Sequence, residues 1–257
     1  MPGGPSAPRA AGRPLVLGHR GASADAPENT LAAFRLALEQ GADGFELDVW
    51  RCGGGEVAVF HDETATRVAG SSLRIPGAPL EAVRALDVGA WKGDRWRGER
   101  VPLLDQVLES FPQAVVNVEL KSRGDRDLRL AAAVANLLSG RREAPRVVVS
   151  SFDYRLLTAF RLAAPQVPVG LLFDAEHAWR LRTALAIRLL APAAVHPDRR
   201  LVTPARARRW SRRGLALNVW TVDAPEEIAR LAALGAAAVI SNVPGAAREA
   251  VRRATGR

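Results

Sequence analysis

Residues 15–50 read "LVLGHRGASADAPENTLAAFRLALEQGADGFELDVW". An apolar run, 14–18, ends on His19-Arg20-Gly21. A helical run near 30–40 follows after Pro27-Glu28-Asn29-Thr30, and a second apolar run, 43–49, carries Glu46 and Asp48. Strand, helix and strand in succession form a crossover unit whose two strands lie parallel. The pattern then repeats. Further strands are expected at 115–120, 146–151, 168–173, 193–196, 215–221 and 237–241. Helices are expected near 103–110, 127–139, 154–163, 177–190, 204–213, 225–234 and 244–253. Eight parallel strands, each followed by a helix, specify an α/β fold, the (β/α)8 TIM barrel.

A ninth extended run, "EVAVF" at 56–60, is separated from the Asp48 strand only by residues 50–55. A parallel crossover needs a dozen or more residues, so this run folds back antiparallel. Cys52-Gly53-Gly54-Gly55 forms the turn of the hairpin. The hairpin arm returns His61-Asp62 to the upper rim. Residues 62–102 are too long for a plain connection and read as a small insertion over the barrel mouth.

A chain of 257 residues with 48% apolar content supports one large core, expected over 14–257 as a single catalytic domain. Residues 1–13, "MPGGPSAPRAAGR", lack an apolar leader segment and are expected to form a disordered tail. The net charge of +9 invites a nucleic-acid reading, but all basic residues except Lys92 and Lys121 are arginines scattered over many helices. Arg206, Arg208, Arg209, Arg212 and Arg213 fit a solvated helix face, so no nucleic-acid partner is expected. No run reaches membrane-spanning length, and no stable membrane insertion is expected. His177 opens the helix 177–190, whose apolar face is expected to pack on the barrel; the alternative is that its Arg180, Arg182 and Arg188 touch anionic lipid. The single Cys52 excludes an internal disulfide and suits a cytoplasmic location. No pattern in the chain specifies an oligomeric state.

Active sites of such barrels lie at the C-terminal ends of the strands. Glu46 and Asp48, two residues apart on one strand, point to the same face, about 6–7 Å apart along it. Carboxylates inside a barrel repel one another unless a cation or a proton intervenes. With Glu119 of "VVNVELK" they make an oxygen-rich set suited to one divalent cation, Mg²⁺ or Ca²⁺. The alternative is that each carboxylate pairs with an arginine. Histidine is scarce, four in all. Two of them reach the rim from different segments and suit a general acid and a general base. Arg20 and Lys121 add fixed positive charge, which makes the composite a site for phosphoryl chemistry. His196 either lines the pocket or is structural.

The segments "HRGASADAPENTLAAF", "FELDVW", "VAVFHDET", "NVELK", "SSFD", "NVWTVD" and "VISNVP", in this order from about residue 15 to 248, resemble the glycerophosphodiester phosphodiesterase family. The resemblance implies a TIM barrel of the phospholipase-C-like phosphodiesterase type with an insertion after the His-Asp segment. It also implies a small-molecule substrate, a glycerophosphodiester cleaved to sn-glycerol 3-phosphate and an alcohol. Carried over by position, it makes His19 and His61 the acid/base pair and Glu46, Asp48 and Glu119 the ligands of the cation. Arg20 and Lys121 match phosphate contacts, and Phe152 and Trp220 match pocket-lining aromatics. Glu28 and Asp62 are expected to brace the site, and Asn29 or Thr30 to cap the first helix. The chain departs from the family pattern in its Cys-Gly-Gly-Gly turn and in Asn242, where aspartate is common. Two rival readings are a phospholipase D-like lipid phosphodiesterase on the same fold and a non-catalytic phosphate-binding barrel. Retention of every acidic, imidazole and cationic position argues against the second.

Overall fold

The computed structural model describes residues 5–122, 128–141, 146–175, 187–188 and 190–256. Its strands are β1 (Leu15–His19), β2 (Gly44–Arg51), β3 (Val57–Val59), β4 (Val115–Leu120), β5 (Val147–Ser151), β6 (Val169–Phe173), β7 (Ala194–Pro197), β8 (Ala216–Val219) and β9 (Ala238–Ser241). Eight of them pair in parallel, and the sheet closes through β1, which bonds to both β2 and β9. The result is a TIM barrel. β3 pairs with β2, antiparallel, with Val49 opposite Val59, and on its other side makes a single antiparallel bridge from Ala58 to Leu103. It is the returning arm of the expected hairpin.

Strands covered on both faces need apolar residues at almost every position, and runs such as Val115-Val116 and Val147-Val148-Val149 supply them. The outward residues meet the helices. Phe45 of β2 stacks on Phe34 of α1 (Leu31–Glu39) with ring centroids 4.2 Å apart. Thr30 caps α1 by accepting from the Ala33 N–H, which settles the choice between Asn29 and Thr30. Around the outside follow α4 (Leu104–Ser110), α5 (Arg129–Leu138), α6 (Tyr154–Ala163), α7 (Pro204–Ser211), α8 (Pro225–Ala233) and α9 (Pro244–Thr255). On α7, Ala207 and Trp210 are buried while Arg208 and Arg209 are exposed, the solvated face expected of that arginine cluster. The helix expected at 177–190 lies almost wholly outside the described residues, together with His177, Arg180 and Arg182.

Two regions hold more structure than the sequence suggested. The insertion contains the short helices α2 (Thr66–Ala69) and α3 (Leu80–Ala85) and an apolar cluster of its own, including Trp50, Phe60, Ile75, Val83 and Val101. Residues 5–13 were expected as a disordered tail but lie against the N-terminal end of the barrel. Ala7 is buried with Val148, Ala194, Ala216 and Ala237, and Arg13 pairs with Asp43 at 2.8 Å. The barrel residues there are short, and the tail supplies apolar cover that they lack. Among the described residues, no helix is long and apolar enough to cross a membrane.

Candidate active site

The C-terminal ends of the strands open into a cavity of about 380 Å³. It is lined by His19, Arg20, Glu46, His61, Glu119 and Lys121 together with Phe152 and Trp220. The eleven residues singled out in the sequence thus fall into one neighbourhood. Eight line the cavity, Asp48 lies buried against its cations, and Glu28 and Asp62 hold Arg20 and His61 from behind. His196 does not reach it. That side chain is fully buried in the barrel, accepts from Asn218 Nδ2 at 3.0 Å and fills the space beside Gly170, where a Cβ would lie 2.3 Å from its ring nitrogen. Burial pushes its pKa down to about 3, so it stays neutral.

Strand register assembles the acids. Asp48 of β2 stands opposite Glu119 of β4, and Glu46 lies two residues below Asp48 on the same inner face. Each of the three offers a carboxylate oxygen within 4.8 Å of the others, and all three are buried. Lys121 Nζ lies 2.9 Å from Glu119 and 3.3 Å from Asp48, and Arg20 Nε lies 3.3 Å from Asp48. Among the described residues, no lysine or arginine side chain pairs with Glu46. It accepts the Arg20 backbone N–H at 3.1 Å, and His19 Nε2 stands 4.0 Å away. Two cations therefore face three carboxylates, which rules out the reading in which every carboxylate is neutralised by its own arginine.

The proton affinities follow from that imbalance. Burial, with Asp48 and Glu119 alongside, pushes Glu46 well above the usual carboxylate range. Burial also pushes up Glu119, against the pull of Lys121. It works the same way on Asp48, but Lys121 and Arg20 outweigh it and hold Asp48 low. A buried cluster with one negative charge too many, made of hard oxygen donors, fits a divalent cation.

The backbone at the β1 end is shaped for this cluster. Arg20 adopts φ 55°, a left-handed conformation that costs a non-glycine residue on the order of 1 kcal/mol. Its N–H is thereby fixed on Glu46, and its guanidinium is held by Glu28 at 2.8 Å. Gly21 follows at φ 86°, where a Cβ would lie 2.5 Å from the Ala33 backbone, so only glycine permits the close turn onto α1.

The two histidines arrive by different routes. His19 is the last residue of β1, and its Nδ1 lies 2.7 Å from Asn242 Oδ1. Burial and the adjacent Arg20 push its pKa down to about 4. His61 follows β3. The Phe60 N–H donates to the Asp48 carbonyl, and buried Trp50 donates Nε1–H to the His61 carbonyl, which anchors the returning arm beside the acids. His61 Nδ1 lies 2.6 Å from Asp62. Burial lowers the His61 pKa too.

Two contributors escaped the sequence reading. Asn29, by sequence a candidate helix cap, is buried and clamps Asp48, donating Nδ2–H to the carboxylate at 2.9 Å and accepting the Asp48 N–H at 3.3 Å. Arg67, on α2 of the insertion, donates to both oxygens of Glu28 and, through Nε, to Asp62 at 2.7 Å. It joins the support of Arg20 to the support of His61. Asn29 left a faint signal as a polar residue beside the His-Arg-Gly turn; "TATRVAG" around Arg67 left none.

A TIM barrel whose mouth gathers three carboxylates, two imidazoles and two cations is a barrel built for a phosphate ester, the phosphodiesterase class. The model of the glycerophosphoryl diester phosphodiesterase family matches residues 19–246, and the chain belongs to that family of phosphoric diester hydrolases. The chain is 32% identical over 243 residues to a glycerophosphodiester phosphodiesterase of Caldanaerobacter subterraneus subsp. tengcongensis, covering 93% of this chain and 98% of that protein. A phosphodiesterase of Oleispira antarctica, solved in complex with the product sn-glycerol-3-phosphate, superposes with TM-score 0.84 at 29% identity, over 93% of this chain and 97% of that one. A putative glycerophosphoryl diester phosphodiesterase of Silicibacter pomeroyi superposes with TM-score 0.85 at 28% identity, over 95% of each chain.

Proposed function

We propose that the chain hydrolyses small glycerophosphodiesters to sn-glycerol 3-phosphate and an alcohol, using one divalent cation, Mg²⁺ or Ca²⁺, and two histidines as acid and base. The observation that carries this reading is the cluster of Glu46, Asp48 and Glu119, with one carboxylate in excess of its cations, in a cavity that also holds His19 and His61. The product bound in the Oleispira relative supports the choice of substrate. The solitary, buried Cys52 is compatible with a reducing cytoplasmic setting.

Glu46, Asp48 and Glu119 would hold the ion, which when bound would supply Lewis acidity toward the phosphoryl group and make the attacking hydroxyl more acidic. Arg20 and Lys121 stabilise the remaining phosphoryl charge, Arg20 through its fork and Lys121 as a point charge. Phe152 and Trp220, packed edge to face with centroids 5.6 Å apart, form the apolar wall for the glycerol carbons. One histidine takes the proton of the attacking hydroxyl as the new O–P bond forms. The other delivers a proton to the departing alkoxide as the old P–O bond breaks. The hydroxyl belongs to water or to the glycerol itself, the latter through a cyclic phosphate opened by water. Both routes consume one water.

The test is a panel of glycerophosphodiesters and lysophospholipids, assayed with and without EDTA for released glycerol 3-phosphate. Release from the small diesters that EDTA stops and Mg²⁺ or Ca²⁺ restores is the expected result. Turnover of lysophospholipids alone, or turnover untouched by EDTA, would overturn the reading.

A further inference from the structure

Behind His19, on the side away from the cavity, the side chains of Asn242 and Asp223 form a chain of hydrogen bonds with only one consistent direction. Asn242 Nδ2 donates to Asp223 Oδ2 at 2.7 Å, and the Asn242 backbone N–H donates to Asp223 Oδ1 at 2.8 Å. Ser241 Oγ donates to Asp223 Oδ1 at 2.9 Å. A carboxylate only accepts, so the amide group of Asn242 must turn its NH₂ toward Asp223 and its Oδ1 away. That oxygen receives Ser23 Oγ–H at 2.9 Å and lies 2.7 Å from His19 Nδ1. An amide oxygen also only accepts. The ring nitrogen facing it must carry the hydrogen, and a neutral His19 then has its lone pair on Nε2, the nitrogen 4.0 Å from Glu46.

We infer that Asn242 and Asp223 are positioning residues: Asp223 fixes the rotation of the Asn242 amide, and the amide fixes His19 in the Nδ1–H tautomer with Nε2 free to accept a proton in the cavity. The inference rests on the proposed role of His19 as a proton carrier. It also accounts for the pairing of residue types. A carboxylate at 242 would orient His19 as well, but beside Asp223 it would place two carboxylates at hydrogen-bond distance. Asparagine at 242 relays the direction set by Asp223 without a second charge.

The test exchanges the two side chains. In Asp223→Asn the amide of Asn242 is no longer forced one way, and a flipped amide presents NH₂ to His19 Nδ1 and favours the Nε2–H tautomer. Long-range ¹H–¹⁵N spectra distinguish the two tautomers, with His19 assigned by its loss in His19→Asn. The expected result for Asp223→Asn is a mixture of tautomers and a fall in kcat of at least about tenfold with KM little changed, since a histidine in the wrong tautomer cannot take the proton. The exchange variant Asp223→Asn/Asn242→Asp restores a directed chain, with the new amide donating to the new carboxylate, and is expected to return His19 to Nδ1–H and to recover kcat. Should Asp223→Asn fail to fold, the exchange variant alone decides. An Nε2–H tautomer in the exchange variant, or an unaltered tautomer and kcat in Asp223→Asn, would overturn the inference. The spectra read the resting protein, so a tautomer that responds as expected in a chain without diesterase activity would sink the functional proposal and leave the relay standing.

Discussion

The barrel rim and the hairpin arm with its insertion supply the same site by different means. The rim parts, His19, Glu46, Asp48, Glu119 and Lys121, sit on or beside strands whose positions are set by closure of the sheet and by the main apolar core. His61 and Asp62 sit just past β3, the end strand of the sheet outside the closed barrel, and are braced by Arg67, whose side chain is 45% exposed. Rim residues cannot shift without disturbing the barrel, whereas the arm can lose a brace and leave the barrel folded. The general lesson is one of division. Charge is concentrated where the scaffold is stiffest, and one proton carrier is brought in on a separate support over a rigid cluster.

The largest expected effect breaks the rim. Glu46→Gln removes the carboxylate that lacks a cationic partner. Turnover should fall to background, and added Mg²⁺ or Ca²⁺ should no longer raise the melting temperature, because binding to the folded state is lost. Melting curves with and without the ion decide it. A persisting cation-dependent rise would mean that the three carboxylates do not form one site.

Next comes the arm. His61→Ala should retain the cation-dependent rise in melting temperature yet lose at least about 10²-fold in kcat. A p-nitrophenyl diester has a leaving group that needs little protonation. A smaller loss on it than on a choline diester makes His61 the acid; equal losses make it the base. Near wild-type turnover on both substrates would reduce His61 to a structural hairpin residue and remove the contrast between the regions.

Arg67→Ala should cost about tenfold in kcat, the scale of losing a positioning contact, with little change in melting temperature because the side chain is half exposed. Arg67→Lys should not restore the rate, since a compact ammonium lacks the planar fork whose two ends grip Glu28 while Nε holds Asp62. If Arg67 acts through Asp62, the effects of Arg67→Ala and Asp62→Ala will fall short of adding. Strict additivity would show that the insertion merely covers the site.

The smallest effect concerns the barrel interior. His196 is neutral when folded, with its pKa held near 3 by burial against an ordinary value of 6.5. Unfolding below pH 6.5 therefore takes up a proton, so the stability His196 contributes is present above that pH and is lost as pH falls toward 3. Between about pH 7.5 and 5.5 this amounts to roughly 1 kcal/mol, or about 2–4 °C in melting temperature. His196→Asn should show a shallower slope over that interval. An unchanged slope would place the acid sensitivity elsewhere, with His19, held down to about 4 by burial and Arg20, the first alternative.

The alternation of apolar runs and helical periods was enough to count eight parallel strands, and the six residues between Asp48's strand and "EVAVF" were too few for anything but a hairpin, because chain reach and strand pairing are local constraints. The parity of Glu46 and Asp48 was readable for the same reason. What no local rule carries is which separate segments meet. Asn29 reads as a helix cap until the turn at Arg20 swings it onto Asp48, and Arg67 reads as one more surface arginine until α2 lays it between Glu28 and Asp62. His196 was ambiguous because its strand end is equally compatible with the cavity and with the space that Gly170 leaves inside the barrel. Residues 5–13 read as a tail because the residues they cover at the barrel end, Val148, Ala194, Ala216 and Ala237, are all distant in sequence. Sequence determined the elements and the chemistry of the groups they carry. Closure of the barrel decided the partners, because hydrogen bonds and charge pairing depend on ångström distances between residues as far apart in the chain as His19 and Asn242.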